Sequence, residues 1–113
     1  MKRGVLLCDD LIDGSRVTAT ARAVGGEMTQ VNSAERLAGL TADVIIIDLA
    51  TAGADLSGLK ASLPAGAKLI AYGPHVSAGL LKSARELGFD PVMPRSQFFG
   101  ELERHLEEWL SEG

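Results

Sequence analysis

A chain of 113 residues, 46% hydrophobic and 23% charged, has ordinary globular composition, which excludes a disordered or fibrous polymer. Its length fits one domain over residues 1–113, able to bury roughly two thirds of the surface its unfolded form exposes. The net charge of −4 is spread along the chain without a cluster of Lys and Arg, and the first apolar stretch meets Asp9 and Asp10 too early for a signal-peptide core or membrane span. The expectation is a cytoplasmic protein that engages neither nucleic acid nor membrane.

Residues 4–8 form an apolar run read as the first strand, ending in the only cysteine, Cys8. A single cysteine excludes an intramolecular disulfide or multi-cysteine metal site. With no Lys, Arg or His beside it in sequence, Cys8 reads as a buried small hydrophobe. Val17, Ala21 and Val24 recur at helical spacing; Asp13 can cap this helix and Gly25-Gly26 can stop it. A weaker second strand falls at 28–31, and Ser33 can cap a second helix carrying Leu37 and Leu40. Residues 44–47 are apolar without polar alternation, as suits a central parallel strand covered on both faces. A third helix over 56–63 is short and crowded by Gly53, Gly58 and Pro64.

Residues 68–72 read as the fourth strand, followed by a helix that Ser77 can cap and that carries Leu80, Ala84 and Leu87 before Gly88. A short fifth strand lies at 91–93. Ser96 can cap the final helix, in which Phe99, Leu102, Leu106 and Leu110 form one apolar stripe. Phe98 and Trp109 lie about three helical turns apart beside that stripe. Either they widen the buried face or they form a partner or dimer surface. His105 reads as a surface residue.

This alternation defines an α/β fold of (βα)5 type, and right-handed crossovers make a doubly wound parallel sheet of flavodoxin-like order 2-1-3-4-5 the expected solution. Function then belongs at the carboxyl ends of the first and third strands, where Asp9, Asp10 and Asp48 fall. Two adjacent carboxylates facing a third repel one another unless a cation compensates, and a hard ion such as Mg²⁺ suits carboxylates, a backbone carbonyl and waters. The alternative is that these strand-end acids cap the helices that follow.

From Gly4-Val-Leu-Leu-Cys-Asp-Asp10 through Val44-Ile-Ile-Ile-Asp48 to the final helix, the chain resembles the response-regulator receiver family. The resemblance implies that Asp9 and Asp10 hold Mg²⁺, that the Ala50 backbone carbonyl completes its shell, and that Asp48 accepts a phosphoryl group. It implies a signalling module and not an enzyme, with a histidine kinase or an effector as protein partner, or a homodimer. Departures are equally specific. Gly73 stands where receivers carry Ser or Thr, Arg95 takes the position of their Lys, Ser96 that of the following Pro, and Val92 that of an aromatic switch. The Pro usual three residues beyond the acceptor is missing from the segment after Asp48. His75, in the loop after the fourth strand, either tunes the phosphate site or is an ordinary exposed loop residue.

Three functions compete on these residues. The first is a stand-alone, degenerate receiver-like signalling or scaffolding module with impaired phospho-switching. The second is a Mg²⁺-dependent receiver phosphorylated on Asp48. The third is a small-ligand module on a flavodoxin-like fold, against which Asp9, Asp10 and Asp13 would repel a phosphate and no Asp-x-His cobalamin motif is present.

Overall fold

In the computed structural model, which describes residues 2–37, 39–53 and 55–111, five parallel strands form a single sheet. They are β1 (Arg3–Leu7), β2 (Glu27–Val31), β3 (Val44–Asp48), β4 (Lys68–Gly73) and β5 (Val92–Pro94), in the order β2-β1-β3-β4-β5. The helices are α1 (Leu11–Ala23), α2 (Leu49–Ala52), α3 (Leu56–Ser62), α4 (Ala78–Glu86), α5 (Arg95–Gly100) and α6 (Leu102–Leu110). Both the α/β class and the 2-1-3-4-5 order match the expectation.

The period of two along each strand divides the core into two layers. Leu6, Cys8, Val44, Ile46, Ile70 and Tyr72 face α1, α5 and α6, whereas Val5, Leu7, Ile45, Ile47 and Ala71 face α3 and α4. The central strand β3 is buried throughout, which accounts for its unbroken apolar run. Each fully buried Val, Leu or Ile contributes about 1.5–3 kcal/mol, so the strands' apolar sequence is the main force assembling the sheet. Among the described residues, no helix is long and apolar enough to cross a membrane.

Two helices depart from their expected form. The second helix is a single 3-10 turn, Ala34–Leu37, in which only Leu37 is buried. Gly39 then turns the chain at φ 81°, and Leu40 is left 37% exposed. The final helix is broken in two at Glu101, whose φ −131° and ψ 35° lie outside the helical region. It starts one residue before the expected cap, with Pro94 at the N-cap and Ser96 inside the first turn.

Candidate functional site

Parallel pairing of Leu7 with Ile47 and of Asp48 with Tyr72 lines up the carboxyl ends of β1, β3 and β4. Asp48 is 8% exposed; its Oδ1 accepts the Ala50 N–H at 3.0 Å, and its Oδ2 lies 3.6 Å from Cys8 Sγ. Burial pushes the Asp48 carboxyl above the usual carboxylate range, helped by the charge of Asp9. The Ala50 N–H, the Cys8 thiol and the charge of Arg95 pull the other way without cancelling it. Cys8 is fully buried and burial raises its thiol pKa, so it sits here as a neutral donor, consistent with its reading as a small hydrophobe.

The neighbouring acids are occupied separately. Asp9 is exposed; its Oδ1 accepts the Thr51 hydroxyl at 3.1 Å, and the same hydroxyl oxygen accepts the Asp9 N–H at 3.1 Å. Asp10 is the N-cap of α1, with Oδ1 accepting the Asp13 N–H at 2.9 Å. Capping therefore falls to Asp10, not to Asp13. Ala50 lies exposed in the first turn of α2, directly after Asp48. Among the described residues, no group of three or more His, Cys, Asp or Glu side chains is placed to hold a metal ion. Only Oδ1 of Asp9 and Oδ1 of Asp10 are taken by these bonds, so the acids are hydrogen-bonded singly and are not gathered into a metal cluster.

Arg95, at the start of α5, is committed elsewhere. Its guanidinium forms a bidentate pair with the buried Asp13, with Nη2 2.8 Å from Oδ1 and Nη1 bonded to Oδ2. The guanidinium also stacks over the Phe99 ring at 4.6 Å, while Arg16 covers the same ring at 4.9 Å and donates to the Phe99 carbonyl at 3.4 Å. Glu101 pairs with Arg104.

Gly73 ends β4, where a Cβ would stand 3.2 Å from Leu49 Cβ and 3.3 Å from Leu49 Cδ1, a space too tight for a side chain without adjustment. His75 is exposed in the turn after β4, and Val92 is buried among the α3 and α4 layer. The proposed partner surface is corrected: Phe98 is fully buried and Trp109 is 6% exposed. Both belong to an aromatic stack in which Tyr72 lies 4.3 Å from Phe98, Phe98 lies 6.2 Å from Trp109, and Trp109 lies 4.9 Å from His105. His105 is likewise buried and not on the surface. The buried face of α5 and α6 is wider than the four-residue stripe: Phe98, His105 and Trp109 fall beside Phe99, Leu102, Leu106 and Leu110 at helical spacing.

Sequence reasoning did not single out Tyr72, Gln30 or Thr51. The Tyr72 hydroxyl is buried beside Cys8 and Asp48 without a hydrogen-bond partner among the described residues, and burial drives its pKa far up. Its signal was the period-two position that turns it to the same face as Asp48. Gln30 Nε2 donates to the carbonyls of Cys8 at 2.9 Å and Asp10 at 3.2 Å. It reaches them over Gly14, where a Cβ would lie 2.0 Å from its Oε1. Asp13 was noticed, but its role as counterion to Arg95 spans 82 residues of sequence and no local pattern carries it.

A five-stranded parallel sheet of order 2-1-3-4-5 is the fold of response-regulator receiver domains. The receiver domain of the Francisella response regulator 1452 is 16% identical, with a TM-score of 0.77 and 96% of each chain covered. A response regulator from Thermotoga maritima is 14% identical, with a TM-score of 0.76 over 99% of each chain. A response regulator receiver protein from Burkholderia phymatum is 18% identical, with a TM-score of 0.74 over 96% of each chain. No family model and no curated protein matches the sequence, so the likeness is one of fold.

Proposed function

We propose that this chain is a receiver-like signalling or scaffolding module, acting in the cytoplasm through contacts with protein partners, and that its response to phosphorylation is impaired. The observation that carries this reading is the Asp13–Arg95 pair. The cation expected beside the acceptor carboxylate is held bidentately by another acid, and Arg95 must leave that pair to reach a group on Asp48. Gly73 adds no hydroxyl to meet such a group, and Leu49 crowds the place where one would sit.

Asp48 stands, by the resemblance, where receivers carry their acceptor, and this supports the second reading, a phospho-receiver with a histidine kinase or an effector as its protein partner. Mg²⁺ at Asp9, Asp10 and Asp48 would draw together acids that are hydrogen-bonded separately, so binding is expected to be weak in either reading. The test is incubation with a small-molecule phosphodonor and Mg²⁺, followed by intact mass, with Asp48→Asn as control. In parallel, amide spectra are recorded with and without beryllofluoride. No adduct, or one whose shifts stay local to Asp10, Asp48 and Gly73, supports the proposal. Shifts spreading through residues 80–99 would move the conclusion to a working phospho-switch.

A further inference from the structure

Strand β2 forms one edge of the sheet, and among the described residues no strand pairs with its outer side. Its pairing with β1 decides which groups remain on offer. The Glu27 N–H donates to the Lys2 carbonyl and the Val31 carbonyl accepts the Cys8 N–H, so the odd-numbered residues spend their backbone groups inwards. Alternation then turns the N–H and C=O of Met28 and Gln30 outwards. On the face shared with Val5, only a 3-10 turn follows β2, and two shallow cavities run end to end along the strand, with Thr29 and Leu40 lining both. Arg36 and Asp9 line the cavity at the Val31 end, and Glu27 and Arg3 line the cavity at the other; Asp9 and Arg3 belong to the β1 side, one strand further in, which leaves exposed Arg36 and Glu27 as the charges on the β2 side.

We propose that the outer edge of β2 is a self-association surface on which a second copy of this chain pairs antiparallel, extending the sheet across a twofold axis at Thr29. The backbone sets the register: Met28 exchanges both hydrogen bonds with the partner's Gln30, Gln30 does the same with the partner's Met28, and the two Thr29 residues meet as a close pair. This register opposes no like charges. Glu27 faces the partner's Val31, where the partner's Arg36 overhangs the cavity, so opposite charges meet at both ends of the contact. A lone second-copy strand satisfies every outward group of β2, and the Thr29 pair suits an exposed sheet face. The inference goes beyond the signalling reading and does not depend on the state of Asp48.

The contact is small, so association is expected between roughly 10 µM and roughly 1 mM, the range of weak interfaces. Sedimentation velocity across that range should show monomer passing to dimer, and amide exchange should show Met28 and Gln30 becoming protected as concentration rises. Thr29→Lys sets two cations against each other on the axis and should weaken the dimer at least about tenfold. Glu27→Lys should weaken it similarly, and Glu27→Lys combined with Arg36→Glu should restore it to within about threefold. Unchanged circular dichroism and urea midpoints confirm that these exposed substitutions leave the fold intact. A protein that stays monomeric at the highest concentration overturns the proposal. So does a dimer that Thr29→Lys does not weaken, or one in which the Met28 and Gln30 amides exchange as fast as in the monomer.

Discussion

The Asp13–Arg95 pair makes an asymmetric prediction, because its two partners differ in burial: the Asp13 side chain is 11% exposed and that of Arg95 is 45% exposed. Arg95→Ala strands a carboxylate that water reaches poorly, at a cost of about 2–3 kcal/mol. It also removes the guanidinium from the Phe99 ring, about 0.5–1 kcal/mol more. Asp13→Ala leaves a half-exposed guanidinium that water can solvate. Its cost is about 1 kcal/mol, with about 0.5 kcal/mol added for the acid lost from the first turn of α1. Arg95→Ala should therefore exceed Asp13→Ala by roughly 1–2 kcal/mol, and the double variant should cost less than the sum by roughly 1–2 kcal/mol. Urea denaturation at neutral pH, with unchanged slopes, gives both quantities. Equal single-variant costs, a larger effect at Asp13, or additivity would refute the view that a buried carboxylate is neutralised by this arginine.

Asp48→Asn should stabilise the protein at neutral pH, as read from melting temperature against pH. The raised carboxyl pKa means that the folded state holds this proton more tightly than the unfolded chain. The associated stability is present below the ordinary carboxylate range and is lost as pH rises through the folded value, so the advantage of Asn should shrink on acidification. Gly73→Ser should cost about 1–2 kcal/mol in a thermal or urea melt, because Leu49 must give way, and should not by itself increase phosphodonor labelling. Trp109→Ala should cost about 3–5 kcal/mol, whereas a surface residue would cost under about 0.5 kcal/mol. Tyr72→Phe removes a buried hydroxyl without a partner and should be neutral or stabilising by up to about 1 kcal/mol in the same denaturation assay.

What was legible in the sequence followed periodicity. The unbroken run of β3 and the alternation of strands with helical stripes fix the sheet order, because parallel strands need crossovers and few topologies allow them. The acids were placed correctly at strand ends for the same reason. Their partners were not legible, since a carboxylate's hydrogen bond depends on rotamer and on which donor the turn presents. Asp10 found the Asp13 N–H and Asp9 found Thr51 before either could face Asp48. Helix ends were the other weak point: Ser33 and Ser96 resemble caps, but Gly39 and the non-helical backbone at Glu101 decided where helices form. Of their two readings Phe98 and Trp109 took the first and widen the buried face, whereas His105 was misplaced towards the surface because a stripe read as four residues wide left no room for it in the core.

The aromatic stack has a spectroscopic consequence. The chain holds one tryptophan and one tyrosine, and both lie in that stack, with Phe98 between Tyr72 and Trp109. Indole emission therefore reports from a single place, and phenol emission from a single ring beside the Asp48 carboxyl. Because the rings are held nearly parallel, their fixed mutual orientation should give a near-ultraviolet dichroism signal that vanishes when packing loosens even if the helices survive. The protein thus carries its own unlabelled optical probe, running from the strand end at Asp48 to the last helix, by which any event at that carboxylate can be followed in solution.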